Sequence, residues 1–211
     1  MNKKGIITLI ITLILIIFMV GIYAFLNKDK QINNNQGNIT PSTTNKPEAT
    51  SNKKILVVYY SATGSTARVA KEISSNLNAD LFEIIPEEEY TSADLNYTDE
   101  NSRVVKEHNN ESLRDIKLKN ITPDKWNEYD TILIGYPIWW GVAAWPVNNF
   151  IKSNDFTNKT VIPFCTSASS SLGNSDKLLH EMTNTGSWLD GHRFSSSASS
   201  SDIKTFTDSI K

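Results

Sequence analysis

The chain has 211 residues, with 21 lysines and arginines against 23 aspartates and glutamates and a formal net charge of −2. Because this balance provides no basic surface for a phosphate backbone, we exclude DNA and RNA as partners. The lone cysteine, Cys165, excludes an internal disulfide and a cysteine-based metal cluster. The three histidines have no ligand spacing, so we expect no metal site.

An apolar segment occupies residues 5–26, directly after Met1-Asn2-Lys3-Lys4. Its length is about the 20 residues that a transmembrane helix needs. A cleaved signal peptide would have a shorter apolar core and a small-x-small cleavage site, and Ile22-Tyr23-Ala24 is a poor site of that kind. We therefore predict that residues 1–26 are an uncleaved, single-pass anchor in the cell membrane.

Residues 27–52 are rich in asparagine, threonine, serine and proline and have no apolar periodicity. This composition is typical of a flexible linker, with an end-to-end distance of roughly 25–30 Å. Lysines lie on both sides of the apolar segment, so the positive-inside rule favours a cytoplasmic amino terminus only slightly. Together with the linker, this preference predicts that the globular domain, residues 53–211, lies on the extracytoplasmic face.

From residue 53 onward, apolar strands alternate with amphipathic helices, which is the pattern of βαβ units. The predicted strands cover residues 54–60, 80–85, 129–136, 160–165 and 188–194. The predicted helices cover residues 66–77, 101–115, 146–153, 175–185 and 201–210. The stretch 87–123 is polar and weakly patterned, and we expect it to supply little of the core. The elements predict an α/β domain with a doubly wound, mainly parallel five-stranded sheet.

A hydroxyl-rich turn, Ser61-Ala62-Thr63-Gly64-Ser65-Thr66, joins the first predicted strand to a predicted helix. Backbone N–H groups at a helix N-terminus attract an anion. The turn contains no lysine or arginine, so a bound phosphate would be held by neutral dipoles. The alternative is an ordinary capped turn without a ligand, since serine and threonine are common helix caps. We call this segment turn 61–66.

A pair of tryptophans lies in Pro137-Ile138-Trp139-Trp140-Gly141, which follows the third predicted strand and is called here the tryptophan segment. In open α/β sheets, ligands bind beyond the carboxyl ends of the strands. Two tryptophans at this edge predict a platform for a planar aromatic ligand. The alternative is that one ring packs inward and the other covers the sheet edge.

The fourth predicted strand ends in Thr166-Ser167-Ala168-Ser169-Ser170-Ser171-Leu172-Gly173, called here the serine loop. Its small side chains permit close approach to a ligand, and its hydroxyl groups donate hydrogen bonds. The alternative is a solvated turn. The serine loop has no aromatic residue.

These three motifs, in this order and at these strand ends, resemble the flavodoxin family, and most closely its members with paired tryptophans in the second loop. The resemblance covers residues 53–211 and implies a sheet of order 2-1-3-4-5. It also implies FMN as cofactor, with the ribityl phosphate in turn 61–66 and the isoalloxazine ring against residues 137–141 and 166–169. The chain departs from the family at Ser65, where asparagine is usual, and in the serine loop, where glycines are usual.

The resemblance implies electron transfer to and from a redox partner protein or a small molecule. No pattern of a catalytic triad, a Cys-His pair or paired carboxylates emerges, as expected where the cofactor carries the chemistry. The neutral turn and the acidic chain predict a low reduction potential. Two alternatives remain open: a flavin-dependent NAD(P)H or quinone reductase, and a flavin-free binding module of the same fold.

Three other residues or runs have two interpretations each. Residues 87–89, three glutamates, are either a docking patch for a basic partner or a solvated surface. Tyr90 and Tyr97 either fold over the ring or stay on the surface. We expect Cys165 to be a small buried apolar residue.

Overall fold

The computed structural model describes residues 54–210. The predicted anchor (residues 1–26) and linker (residues 27–52) lie outside the described residues. Within the described part, no helix combines the length and the apolar character that crossing a bilayer requires.

Seven strands form the sheet of residues 54–210. They are β1 (Ile55–Tyr59), β2 (Asp80–Glu83), β3 (Thr131–Trp139), β4 (Val142–Ala143), β5 (Thr160–Ser167), β6 (Ser187–Trp188) and β7 (His192–Ser195). The order is β2-β1-β3-β5-β6, and β7 also pairs with β5, so β6 and β7 together fill the fifth position. Every pair except β3 with β4 is parallel, which confirms the predicted α/β class and the order 2-1-3-4-5.

Five α-helices flank the sheet within residues 54–210. They are α1 (Ser65–Leu77), α2 (Arg103–Asn109), α3 (Pro146–Ser153), α4 (Ser175–Thr183) and α5 (Ser200–Ser209). Short 3₁₀ turns cover Glu111–Arg114 and Trp126–Glu128, so the helix predicted over residues 101–115 is divided into two pieces.

The central strands are buried on both faces, which explains their continuous apolar sequence. Val57 and Leu133 pack with α1 and α5 on one face, through side chains such as Ile73 and Phe206. The neighbouring residues of the same strands pack with α3 and α4 on the other face. Because β1, β3 and β5 are parallel neighbours, their carboxyl ends lie together at one edge of the sheet.

A third apolar cluster corrects the expectation that residues 87–123 supply little of the core. Val104, Val105 and Ile116 are buried against Trp145. Leu118 is also buried, and its backbone bridges to Pro86 in antiparallel fashion. The sequence pattern did not reveal this cluster because these apolar residues pack on Trp145, which is distant along the chain, and do not follow a helix or strand period.

Candidate functional site

Turn 61–66 connects β1 to α1 and lies at the carboxyl end of β1. Gly64 is the N-cap of α1 and has φ +89°, a conformation that L-residues rarely adopt. Its N–H donates to Ser61 Oγ at 3.1 Å, and its carbonyl accepts the N–H of Arg68 at 3.0 Å. The first turn of α1 contains no acidic residue. The helix N-terminus thus opens onto a compact turn that would accept an anion without repulsion.

A hydrogen bond between two buried threonines joins turn 61–66 to the serine loop. Thr66 Oγ1 and Thr166 Oγ1 lie 2.7 Å apart. The two residues are 1% and 3% exposed, so each hydroxyl has little access to solvent. Thr66 of turn 61–66 and Thr166 of the serine loop are therefore brought together through contact with each other.

The tryptophan segment is a strand and a tight hairpin, where the sequence predicted a loop after residue 136. β3 continues through Pro137, Ile138 and Trp139 because β4 returns antiparallel to it, with Ile138 opposite Ala143 and Trp139 opposite Val142. The two turn residues, Trp140 and Gly141, have φ values of +45° and +82°. Positive φ at both positions is the pattern of a type I′ turn, which favours Asn-Gly. Trp140 is thus held in an unfavourable backbone conformation.

The two tryptophan rings differ in their surroundings. Trp139 is half-buried and makes edge contacts with Tyr60, Tyr90 and Trp145, at centroid distances of 5.7, 5.3 and 5.1 Å. Trp140 is 43% exposed and stacks on His108 at 4.4 Å and on Trp145 at 5.9 Å. Trp139 therefore anchors an aromatic cluster, while Trp140 presents part of its surface at the sheet edge.

A buried carboxylate, which the sequence analysis did not identify, holds this aromatic cluster in place. Glu107 is 3% exposed. It accepts hydrogen bonds from Tyr90 Oη at 2.7 Å and Trp145 Nε1 at 2.8 Å, and it pairs with Arg103 Nε at 2.7 Å. Burial and the hydrogen bond to Glu107 raise the pKa of Tyr90 above its ordinary value. Segment 87–118 is thereby fastened to the tryptophans.

The serine loop is fixed by Arg193 of β7, which the sequence analysis also left without a role. Arg193 Nε donates to Ser170 O at 3.1 Å, and Nη2 donates to Ser167 O at 3.0 Å and to Ala168 O at 3.3 Å. Ser167 Oγ also donates to Ser170 O. The roles of Glu107 and Arg193 could not be predicted from the sequence, because their partners are backbone groups or distant side chains and produce no recognisable residue spacing.

Two cavities lie near these elements. One, of about 160 Å³, lies between the ends of β1 and β2 and is lined by Tyr60, Ser61, Ala62 and Tyr90 among others. A larger one, of about 630 Å³, lies beside α2 and is lined by none of the predicted site residues. A flat ligand bound beyond the strand ends would lie on an open surface rather than in a deep cavity. The larger volume of the cavity beside α2 is therefore no argument against a site at the three motifs.

The remaining residues singled out from the sequence have simple surroundings. Cys165 is fully buried, and burial raises the pKa of its thiol to about 12, so it is a small apolar residue as predicted. Tyr90 packs against Tyr60 and Trp139, whereas Tyr97 is 76% exposed. Glu87, Glu88 and Glu89 are all exposed, and Glu89 pairs with Lys119 at 2.6 Å.

Several proteins of known structure are similar to this chain. A candidate flavoprotein from Bacteroides eggerthii is 38% identical, with 74% of this chain and 97% of that chain covered and a TM-score of 0.67. One from Bacteroides uniformis is 40% identical over 74% and 98%, with a TM-score of 0.67. A flavoprotein from Lactobacillus acidophilus, solved in complex with FMN, is 28% identical over 67% and 93%, with a TM-score of 0.53.

A comparison with curated proteins gives no match. The model of the flavodoxin family matches residues 54–210, which is nearly all of the chain that follows the predicted linker. The chain therefore belongs to the flavodoxin family.

Proposed function

We propose that this protein binds FMN at the carboxyl edge of its sheet and transfers electrons. The observation that carries the proposal is the convergence of the three motifs: β1, β3 and β5 are adjacent and parallel, so turn 61–66, the tryptophan segment and the serine loop follow neighbouring strand ends. The Thr66–Thr166 hydrogen bond ties two of them together. The FMN complex of the similar Lactobacillus flavoprotein supports the choice of cofactor.

The phosphate of FMN fits turn 61–66. Gly64 opens the turn at the N-terminus of α1, and a Cβ at this position would meet no atom within 4 Å, so space is free above it. Ser61, Thr63 and Ser65 are not buried, and their hydroxyls are available as donors. Ser65 in place of the usual asparagine keeps a short polar side chain.

The ring of FMN fits between the tryptophan segment and the serine loop. Trp140 is 43% exposed and offers an aromatic surface to the ring. The far end of the serine loop approaches the hairpin, because a Cβ on Gly173 would lie 3.5 Å from Gly141 O. FMN supplies the redox chemistry, and the chain supplies position and electrostatics.

A second candidate is a flavin-dependent NAD(P)H or quinone reductase. It is favoured by the serine loop, whose residues 168–171 are exposed and include no aromatic side chain to cover the ring. An open ring face would admit a planar substrate for direct hydride transfer. An electron carrier, in contrast, exchanges electrons with a partner protein.

Two measurements distinguish these functions. The purified chain, titrated with FMN, is expected to quench the flavin fluorescence and to acquire the flavin visible spectrum. A colourless protein that leaves FMN fluorescence unchanged would contradict both flavin-dependent functions and favour a flavin-free module. Steady-state turnover of NAD(P)H with a quinone, without a partner protein, identifies the reductase.

We also propose that residues 1–26 anchor the protein in the cell membrane and that the linker 27–52 holds the domain on the extracytoplasmic face. The support is the apolar run of residues 5–26 and the polar composition of the residues after it. A tag at the carboxyl terminus is expected to be accessible on intact cells. Labelling only after lysis would place the domain in the cytoplasm.

A further inference from the structure

Arg193 binds three carbonyl groups of a loop in which glycines are usual for the family. Its partners are Ser167 O, Ala168 O and Ser170 O, at 3.0 to 3.3 Å. Side chains at residues 168–171 restrict the backbone conformations that glycines would permit. The guanidinium has five N–H donors in a rigid planar fork, so one side chain can define the course of the whole loop.

The bound carbonyls determine where the N–H groups of the loop point. In a trans peptide the C=O and N–H bonds are antiparallel, and the described residues contain no cis peptide. The N–H groups of Ala168, Ser169 and Ser171 belong to the three peptides whose oxygens face Arg193, and so they point away from it. Among residues 54–210, none of these N–H groups has a hydrogen-bond partner.

Arg193 also brings a positive charge to the serine loop. The ion pairs formed within residues 54–210 do not include Arg193. Its charge is therefore opposed by no carboxylate at ion-pair distance in that part of the chain. A flavin gains electron density on reduction, chiefly in the pyrimidine portion, which carries carbonyl oxygens at its edge. A nearby cation stabilises that state more than the oxidised one.

We propose that Arg193 is the positioning residue of the cofactor site: it directs the N–H groups of Ala168, Ser169 and Ser171 toward the pyrimidine edge of the flavin, and its charge raises the reduction potential. This proposal rests on the proposed function, because it requires that the chain bind FMN. The charge of Arg193 thereby counteracts the low reduction potential that the neutral turn 61–66 and the acidic composition predict.

The test compares Arg193→Met and Arg193→Lys with the wild-type full chain. Each protein is titrated with FMN and with riboflavin, which lacks the phosphate, and its reduction potential is measured. The R193M variant is expected to lose about tenfold in affinity for both oxidised ligands, since the charge-assisted hydrogen bonds that hold the serine loop are removed and its N–H groups are no longer directed at the ring. The loss for reduced FMN is expected to be about tenfold greater still, which lowers a two-electron potential by about 30 mV.

The R193K variant separates position from charge. Lysine keeps the charge but not the planar fork, so riboflavin affinity is expected to fall while the ratio of reduced to oxidised affinity stays within about twofold of the wild-type value. Lys71→Met is the matched control, because it removes one charge from an exposed position in the middle of α1. It is expected to change neither affinity nor potential.

The outcomes separate this proposal from the proposed function. If the wild-type chain binds FMN and R193M binds both ligands as tightly, the role of Arg193 is overturned while the flavin function stands. An equal shift of the potential in K71M would also overturn the role of Arg193. If the wild-type chain does not bind FMN, the proposed function itself fails. If R193M does not fold, R193K provides the test instead. A riboflavin affinity of R193K equal to that of the wild-type chain overturns the proposal.

Discussion

Thr66 Oγ1 and Thr166 Oγ1 share a hydrogen bond of 2.7 Å between residues that are 100 positions apart. Thr66 lies in the first turn of α1, and Thr166 lies near the end of β5. Both side chains are buried, so each hydroxyl depends on the other as its partner. The hydrogen bond couples turn 61–66 to the serine loop. If either segment moves away, the threonine hydroxyl of the other segment loses its hydrogen-bond partner.

Replacing one of these threonines is expected to cost more than replacing both. Thr66→Val leaves the hydroxyl of Thr166 buried without a partner, which is expected to lower the free energy of unfolding by about 1–3 kcal/mol. Thr166→Val is expected to have a similar effect. In the double variant no unpaired hydroxyl remains, and most of the loss is expected to be recovered. Urea unfolding of the four proteins measures the coupling, and additive losses would contradict the pairing.

Gly64 is expected to be required for its backbone conformation, since no neighbouring atom limits the space above it. A Cβ there would meet nothing within 4 Å, but φ is +89°. Gly64→Ala is therefore expected to lower the free energy of unfolding by about 1–2 kcal/mol.

Gly64→Asn is the matched comparison, because asparagine tolerates positive φ better than alanine does. We expect G64N to be more stable than G64A in urea unfolding. If the two variants are equally stable, backbone conformation is not the reason for glycine at this position. FMN and riboflavin titrations of the same variants would show whether the phosphate is affected: a change in the turn should weaken FMN binding more than riboflavin binding.

The parts of this site that the sequence predicted are those in which neighbouring residues carry the signal. The apolar residues of β1 and β3 are continuous because both faces of each strand are covered. Turn 61–66 was predictable because a glycine among short hydroxyl residues is a local turn signal, even though the N-cap, Gly64, makes no side-chain cap hydrogen bond. The extension of β3 through Trp139 was not predictable, because it depends on pairing with β4, a strand of only two residues.

Glu107 and Arg193 illustrate what a single sequence conceals. Glu107 lies in a short polar helix, where a charged residue normally indicates a solvated face, and its partners Tyr90 and Trp145 come from distant segments. Arg193 binds backbone carbonyls, and any residue would supply those. Both residues are defined by tertiary contacts with no periodicity to detect.

The Glu107 network is expected to be a major contributor to the stability of segment 87–118. Glu107→Gln removes the charge that pairs with Arg103, whose side chain is only 23% exposed. Removing one partner of a buried pair leaves the other charge uncompensated, so the free energy of unfolding is expected to fall by about 2–4 kcal/mol. Urea unfolding followed by tryptophan fluorescence measures this loss, since Trp145 donates to the same carboxylate.

Glu111→Gln is the control for this experiment. Glu111 pairs with Arg114 at 3.2 Å, but its side chain is 85% exposed. Exposed ion pairs contribute little, so E111Q is expected to unfold at the wild-type urea concentration. If E107Q and E111Q are equally stable, the buried pair does not hold the segment.

Trp140 is expected to retain a strained backbone because its ring serves the ligand. Asparagine suits the first position of a type I′ turn, so Trp140→Asn should relieve about 1–2 kcal/mol of strain at φ +45°. It also removes the stacking on His108 and Trp145, at a comparable cost of about 0.5–1.5 kcal/mol for each contact. The free energy of unfolding is therefore expected to change by less than about 2 kcal/mol, while affinity for FMN falls about tenfold.

Tyr97→Asn, which removes an aromatic ring that is 76% exposed, is the control and should change neither the free energy of unfolding nor the affinity for FMN. Wild-type FMN affinity in W140N would show that the exposed ring of Trp140 is not part of the flavin site.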